Sequence, residues 1–119
     1  TWIPWDNNEA LQEGKMGGSL SLSHSEVGDN WPLIRYLMDV SEYEQSYQEF
    51  LSEFIQGVFA PDKMRELYDL YKELLEDYAH AEESPYSFIR YEAAFDAAVE
   101  GLKEHAQQRY NAVSSYLGN

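Results

Sequence analysis

A mainly α-helical fold, an irregular bundle of about four helices entered by one short strand and a Gly/Ser-rich loop, is predicted by three features of the sequence. Apolar residues recur at three- and four-residue steps through most of the chain after Trp31. Prolines stand where two of the helices would begin, at Pro32 and Pro61, and a glycine, Gly118, stands where the last would end. The residues that mark irregular backbone gather between Glu13 and Asn30. A length of 119 residues with 44% hydrophobic side chains suits one small domain with a core of its own. Within residues 1–119, residues 1–30 read as strand and loop and residues 31–119 as helical. The chain starts with Thr1 and its first residues read as the middle of a sheet, so it is expected to be a C-terminal fragment of a larger domain.

The opening text is "TWIPWDNNEAL", in which Trp2, Ile3 and Trp5 form a short apolar run and the polar string Asp6-Asn7-Asn8-Glu9 follows at once. This is the pattern of a buried strand leaving into a polar loop. The loop that follows, "EGKMGGSLSLSHSEVGDN", ends in a Gly-Asp-Asn turn signal. Its serines at 19, 21, 23 and 25 alternate with Leu20, Leu22 and His24, a period of two that could form a short edge strand. Gly14, Gly17 and Gly18 have neither the spacing nor the Lys-Ser/Thr ending of a phosphate-binding loop.

Pro32 takes the first turn of a first helix, with Leu33, Ile34, Leu37 and Met38 on one face. Ser41 and Glu44 have the spacing of a capping box, and Tyr43, Tyr47, Phe50, Leu51, Phe54, Ile55 and Val58 follow at helical steps, which predicts a helix from about Ser41 to Gly57. A third begins at Ala60-Pro61-Asp62, carries Met64, Leu67, Tyr71, Leu74, Leu75 and Tyr78 on one face, and leaves through "HAEESPYS". There the residue before Pro85 is pushed away from helical backbone. The last runs from about Tyr91 through Phe95, Val99, Leu102, Ala106, Tyr110, Val113 and Leu117. Ten Tyr, five Phe and three Trp populate these stripes, which are expected to form the core with their hydroxyls reaching the surface. Leu51 and Leu102 belong to that expected core.

Eight Lys and Arg against 22 Asp and Glu give a formal net charge of -14, which repels phosphate backbones and anionic membranes and leaves a basic peptide or a cation as the better match. No apolar stretch approaches the ~20 residues that span a bilayer. Without cysteine there is no disulfide framework and no thiolate zinc site. His24, His80 and His105 are far apart, read as lacking a partner at ligand spacing, and are taken as surface or loop residues. The acidic pairs Glu76-Asp77 and Glu82-Glu83 read as solvated helix faces or ends. No nucleophile elbow and no Ser-His-Asp order is present.

Asp6 and Asn8 remain. A carboxylate at the exit of a buried strand with an amide oxygen two residues on can offer two hard oxygen ligands to Mg²⁺. Asp and Asn also cap turns at such positions, which is the commoner use, and local chemistry does not choose between the two.

The Trp5-Asp6-Asn7-Asn8 step, the "PLI" to "Y…Y" stretch from Pro32 to Tyr47, and the "QRY" at Gln108 to Tyr110 resemble the C-terminal half of the CotH family, atypical protein kinases first associated with bacterial spore coats. The resemblance runs over nearly the whole chain. It implies the C-lobe part of a protein-kinase-like fold and phosphorylation of serine or threonine with ATP. It also implies that Asp6 binds the metal that holds ATP, as the Asp of a kinase Asp-Phe-Gly motif does, with Asn8 as a second candidate ligand. The nucleotide-anchoring lysine and the catalytic aspartate of such kinases lie upstream of the Trp-Asp step. No catalytic residue is therefore assigned in residues 1–119, Mg²⁺ and ATP are expected only in the intact parent, and the chain alone is expected to be inactive. Where the family often has an aromatic-Gly pair after this step, the chain reads Ala10-Leu11-Gln12, so that loop is expected to differ. Serine-rich basic proteins or spore-coat and surface proteins are the partners implied, with no nucleic acid and no membrane. The location implied is the spore coat or the bacterial cell surface. The alternative is a non-catalytic helical interaction module of a spore-coat, surface, secreted or cellulosome-associated protein.

Overall fold

The structure, a computed structural model, describes residues 21–83, 85–87 and 89–118. The expected strand near Ile3 and the metal candidates Asp6 and Asn8 lie outside the described residues. The chain divides into two compact units, Thr1–Glu44 and Gln45–Asn119. The described residues form four helices, α1 (Pro32–Met38), α2 (Ser41–Gln56), α3 (Pro61–His80) and α4 (Glu92–Leu117), in the order the periodicity predicts, and no strand. No helix among them is long and apolar enough to cross a membrane.

In the first unit, residues 21–30 form consecutive turns and not an edge strand. The His24 N–H donates to the Ser21 carbonyl at 3.1 Å, and the Val27 N–H to the His24 carbonyl at 3.0 Å. His24 takes a left-handed φ of 54°. The Ser21 backbone N–H and hydroxyl both donate to the Glu26 carboxylate. These contacts reverse the chain every few residues, which an extended strand forbids. α1 starts with proline in its first turn and stops at Asp39, whose N–H donates to the Leu37 carbonyl; Arg35 and Asp39 pair along it at i, i+4.

The capping box at Ser41 does not form as expected, because Ser41 is already inside the helix. The Tyr43 and Glu44 N–H groups both donate to the Val40 carbonyl at 3.0 Å, and the Ser41 hydroxyl donates to Glu42. α2 ends at Gly57, whose N–H donates to the Glu53 carbonyl at 2.8 Å. A Cβ there would come within 2.7 Å of that same oxygen, so the close approach requires glycine. Phe59 then folds back, its N–H bonded to the Phe54 carbonyl at 3.0 Å and its ring stacked on Phe54 at 5.0 Å.

α3 and α4 are the packed pair of the second unit. Contacts between them run in opposite senses along the two helices: Asp69 meets Lys103, Lys72 meets Asp96, and His80 meets Phe95. They therefore form an antiparallel hairpin. α3 starts on Pro61 and stops where the Ala81 N–H donates to the Asp77 carbonyl. α4 stops at Gly118, in left-handed backbone at φ 76°, whose N–H donates to the Ser114 and Ser115 carbonyls. Ile55, Val99, Ala106 and Val113 are buried, and Tyr47 of α2 meets Tyr116 of α4 with ring centroids 6.3 Å apart.

The stripe expected to be the α3 core faces solvent instead. Leu67, Tyr71, Leu74, Leu75 and Tyr78 are exposed, while Met64, Tyr68, Lys72, Glu76 and His80 are half-buried. Several aromatics of α2, among them Tyr43, Phe50 and Phe54, are exposed as well, and Leu51 and Leu102 are half-buried. The buried side of α3 consequently carries charge, and the chemistry of the hairpin lies there.

Candidate functional site

Glu76 and His80 stand one turn apart near the C-terminal end of α3, at i and i+4, and Asp96 faces them from the first turns of α4. Each offers a ligand atom within 4.8 Å of the other two, and among the described residues this is a group that could hold a metal ion. The reading of His80 as a residue without a partner at ligand spacing is thus corrected: Glu76 occupies i−4. Glu76 is also not simply solvated, because the turn of α3 sets it half-buried against α4.

Lys72, one turn before Glu76, reaches the same carboxylates. Its Nζ lies 2.8 Å from Asp96 Oδ1 and 3.6 Å from Glu76 Oε1. The hydrogen bond and charge of Lys72 hold the Asp96 carboxyl below its usual value, and Asp96 in turn raises the Lys72 ammonium. The His80 ring is set edge-on to Phe95, with centroids 5.9 Å apart and planes at 89°. Its Nε2 is enclosed by protein and has no hydrogen-bond partner among the described residues. His80 also lines a surface cavity of about 460 Å³ with Glu82, Ser87, Ile89 and Arg90. The Ser87 hydroxyl donates to Glu82 at 2.8 Å and accepts from the Ile89 N–H at 3.0 Å, which fixes one wall.

Two further features are arranged differently. Lys103, 11% exposed, is held between Asp69 at 2.6 Å and Glu100 at 2.8 Å, and these two hydrogen bonds raise its ammonium above the usual range. This is a structural clamp between α3 and α4. On α2 an apolar groove of about 520 Å³ is lined by Tyr47, Phe50, Leu51, Phe54, Gly57 and Val58. Burial pushes the Tyr47 phenol up, with Tyr116 adding to the shift.

Asp6 and Asn8, the metal ligands that the sequence predicts, lie outside the described residues. The signal for Glu76 and His80 stood in the sequence as a carboxylate four residues before a histidine. Asp96 is sixteen residues beyond His80 and becomes a neighbour only once the hairpin closes.

The family model described as CotH kinase protein matches residues 1–113. No curated protein and no solved structure matches the chain. The matched span takes in the Trp5–Asn8 step, all of α1, α2 and α3, and α4 as far as Val113, the Gln108–Tyr110 triplet included. The chain belongs to the CotH kinase protein family.

Proposed function

We propose that this chain is the helical C-terminal part of a CotH-type serine/threonine protein kinase domain within a longer protein, and that it does not transfer phosphate by itself. The observation that carries this reading is the family match over residues 1–113, which takes in the Trp5–Asn8 step and most of the helical region. In the intact kinase Asp6 would hold Mg²⁺, with Asn8 as a second oxygen donor. A carboxylate and an amide oxygen are the hard ligands that this ion prefers. Bound there with ATP, Mg²⁺ would neutralise charge on the nucleotide phosphates. The acidic surface, with a net charge of -14, favours a basic, serine-rich protein as substrate, at the spore coat or cell surface.

A second reading, a non-catalytic interaction module, is favoured by one observation. Leu70, Leu74 and Tyr78 are 60%, 62% and 75% exposed on one side of α3, and a contiguous apolar face of this kind marks an interaction surface.

The two readings part in the full-length parent. Asp6→Asn removes the charge that the metal requires while leaving an amide able to cap a turn. With Mg²⁺-ATP saturating, phosphotransfer to a serine-rich protein is expected to fall to background in that variant with its helical circular dichroism unchanged. An unchanged rate would return Asp6 to a capping role, and a parent with no activity at all would favour the module.

A further inference from the structure

We propose that Glu76, His80 and Asp96 form a binding site for a first-row divalent metal of the zinc class, a site separate from Asp6, in which the Lys72 ammonium holds the ligands until the metal displaces it. The donor set is one imidazole nitrogen and two carboxylate oxygens, which suits Zn²⁺ or Co²⁺ better than Mg²⁺, an ion of oxygen ligands. The three ligand atoms lie within 4.8 Å of one another. Ligands at metal-bond distance sit roughly 3.4 Å apart around a tetrahedral ion, so side-chain rotation alone closes the site.

Four observations besides proximity point to a cation here. The enclosed His80 Nε2 has no hydrogen-bond partner among the described residues, and an orphaned polar atom of this kind calls for a ligand. Asp96 Oδ1 is likewise enclosed, with the Lys72 ammonium as its ion-pair partner. His80 is the last residue of α3, where the exposed carbonyls of the helix end favour positive charge. Lys72 shows what a positive charge does at this place: it sits between the two carboxylates at 2.8 and 3.6 Å, as a metal would at shorter range. Three protein ligands leave a coordination position for water, and His80, alone of the three, also borders the cavity lined by Ser87 and Arg90.

The test is titration of the 119-residue chain with Co²⁺, read by visible absorption, and with Zn²⁺ in competition with a chromophoric chelator. One equivalent is expected to bind, with Mg²⁺ unable to displace it. His80→Ala and the isosteric Asp96→Asn are each expected to weaken binding by about tenfold or more, with helical circular dichroism confirming that the variants fold. Lys72→Met is expected to tighten binding several-fold. Lys103→Met, which removes the same charge two turns along α4 from Asp96, is expected to leave it unchanged. Binding as strong in His80→Ala and Asp96→Asn as in the parent would assign the metal to the general acidic surface and overturn the site, as would no stoichiometric binding. Equal tightening by Lys72→Met and Lys103→Met would overturn the displacement by Lys72.

Discussion

Glu26 shows how a single side chain can settle a loop. It accepts from the Ser21 hydroxyl at 2.5 Å and from the Ser21 backbone N–H. These bonds, the side-chain one first, pull its carboxyl from 4.5 down to about 2. Hydrogen bonding to the ionised form is the cause, since Glu26 lies in solvent and burial opposes the shift. A depressed folded value means that the contribution is complete above the unfolded value near 4.5 and is lost as pH falls toward 2. Ser21→Ala is expected to raise the Glu26 midpoint, followed by the side-chain carboxyl carbon in NMR. A midpoint still near 2 would assign the shift to the remaining donors, the Ser21 and Glu26 backbone N–H groups and the Ser25 hydroxyl. The sequence announced a loop here through its glycines and serines, yet the alternation of Ser and Leu also suggested a strand. What decided against it was a contact between residues five apart, which a period-two count does not weigh.

At the scale of the element, helix positions were legible and helix orientations were not. Pro32, Pro61 and Gly118 stand at the ends that the sequence assigned, because each acts through its own backbone. The side that α3 turns inward depends on its neighbour. α4 presents Val99 and Ala106, with Asp96 and Lys103 beside them, and α3 answers with Lys72 and Asp69 and leaves Leu70 and Leu74 outside. A periodic count finds the leucine stripe first and cannot see the charges across the interface. For the same reason Glu76 and His80 could be read as ordinary surface residues until Asp96 arrived beside them. The orientation has a measurable consequence. Ile55→Ala, at a site 2% exposed, is expected to cost about 2–5 kcal/mol in urea melts. Leu74→Ala, at a site 62% exposed, is expected to stay within about 0.5 kcal/mol of the parent. A larger loss from Leu74→Ala would mean that the leucine stripe is the packed face after all.

Across the whole molecule the balance of charge decides how it responds to its solvent. Eight bases face 22 acids. The ion pairs among the described residues draw on three cations: Arg35 with Asp39, Lys72 with Asp96 and Glu76, and Lys103 with Asp69 and Glu100. Salt acts on both sides of this balance. It weakens these pairs, which solvent still reaches and which are therefore worth little singly. It also screens the repulsion among the surplus acids, which folding brings closer together. The repulsion outweighs the pairs, since a formal charge of -14 remains after every base is counted against an acid. Raising NaCl from about 0.02 M to about 0.5 M, which shortens the screening length from some 20 Å to about 4 Å, is therefore expected to raise the thermal midpoint of the 119-residue chain. Followed by circular dichroism at constant pH, a midpoint that fell with salt would mean that the clamps of Lys72 and Lys103 between α3 and α4 outweigh the repulsion. In that case Lys103→Met, which breaks the more buried clamp, should abolish most of the salt dependence. A rising midpoint that Lys103→Met leaves in place would assign the effect to the acidic surface as a whole.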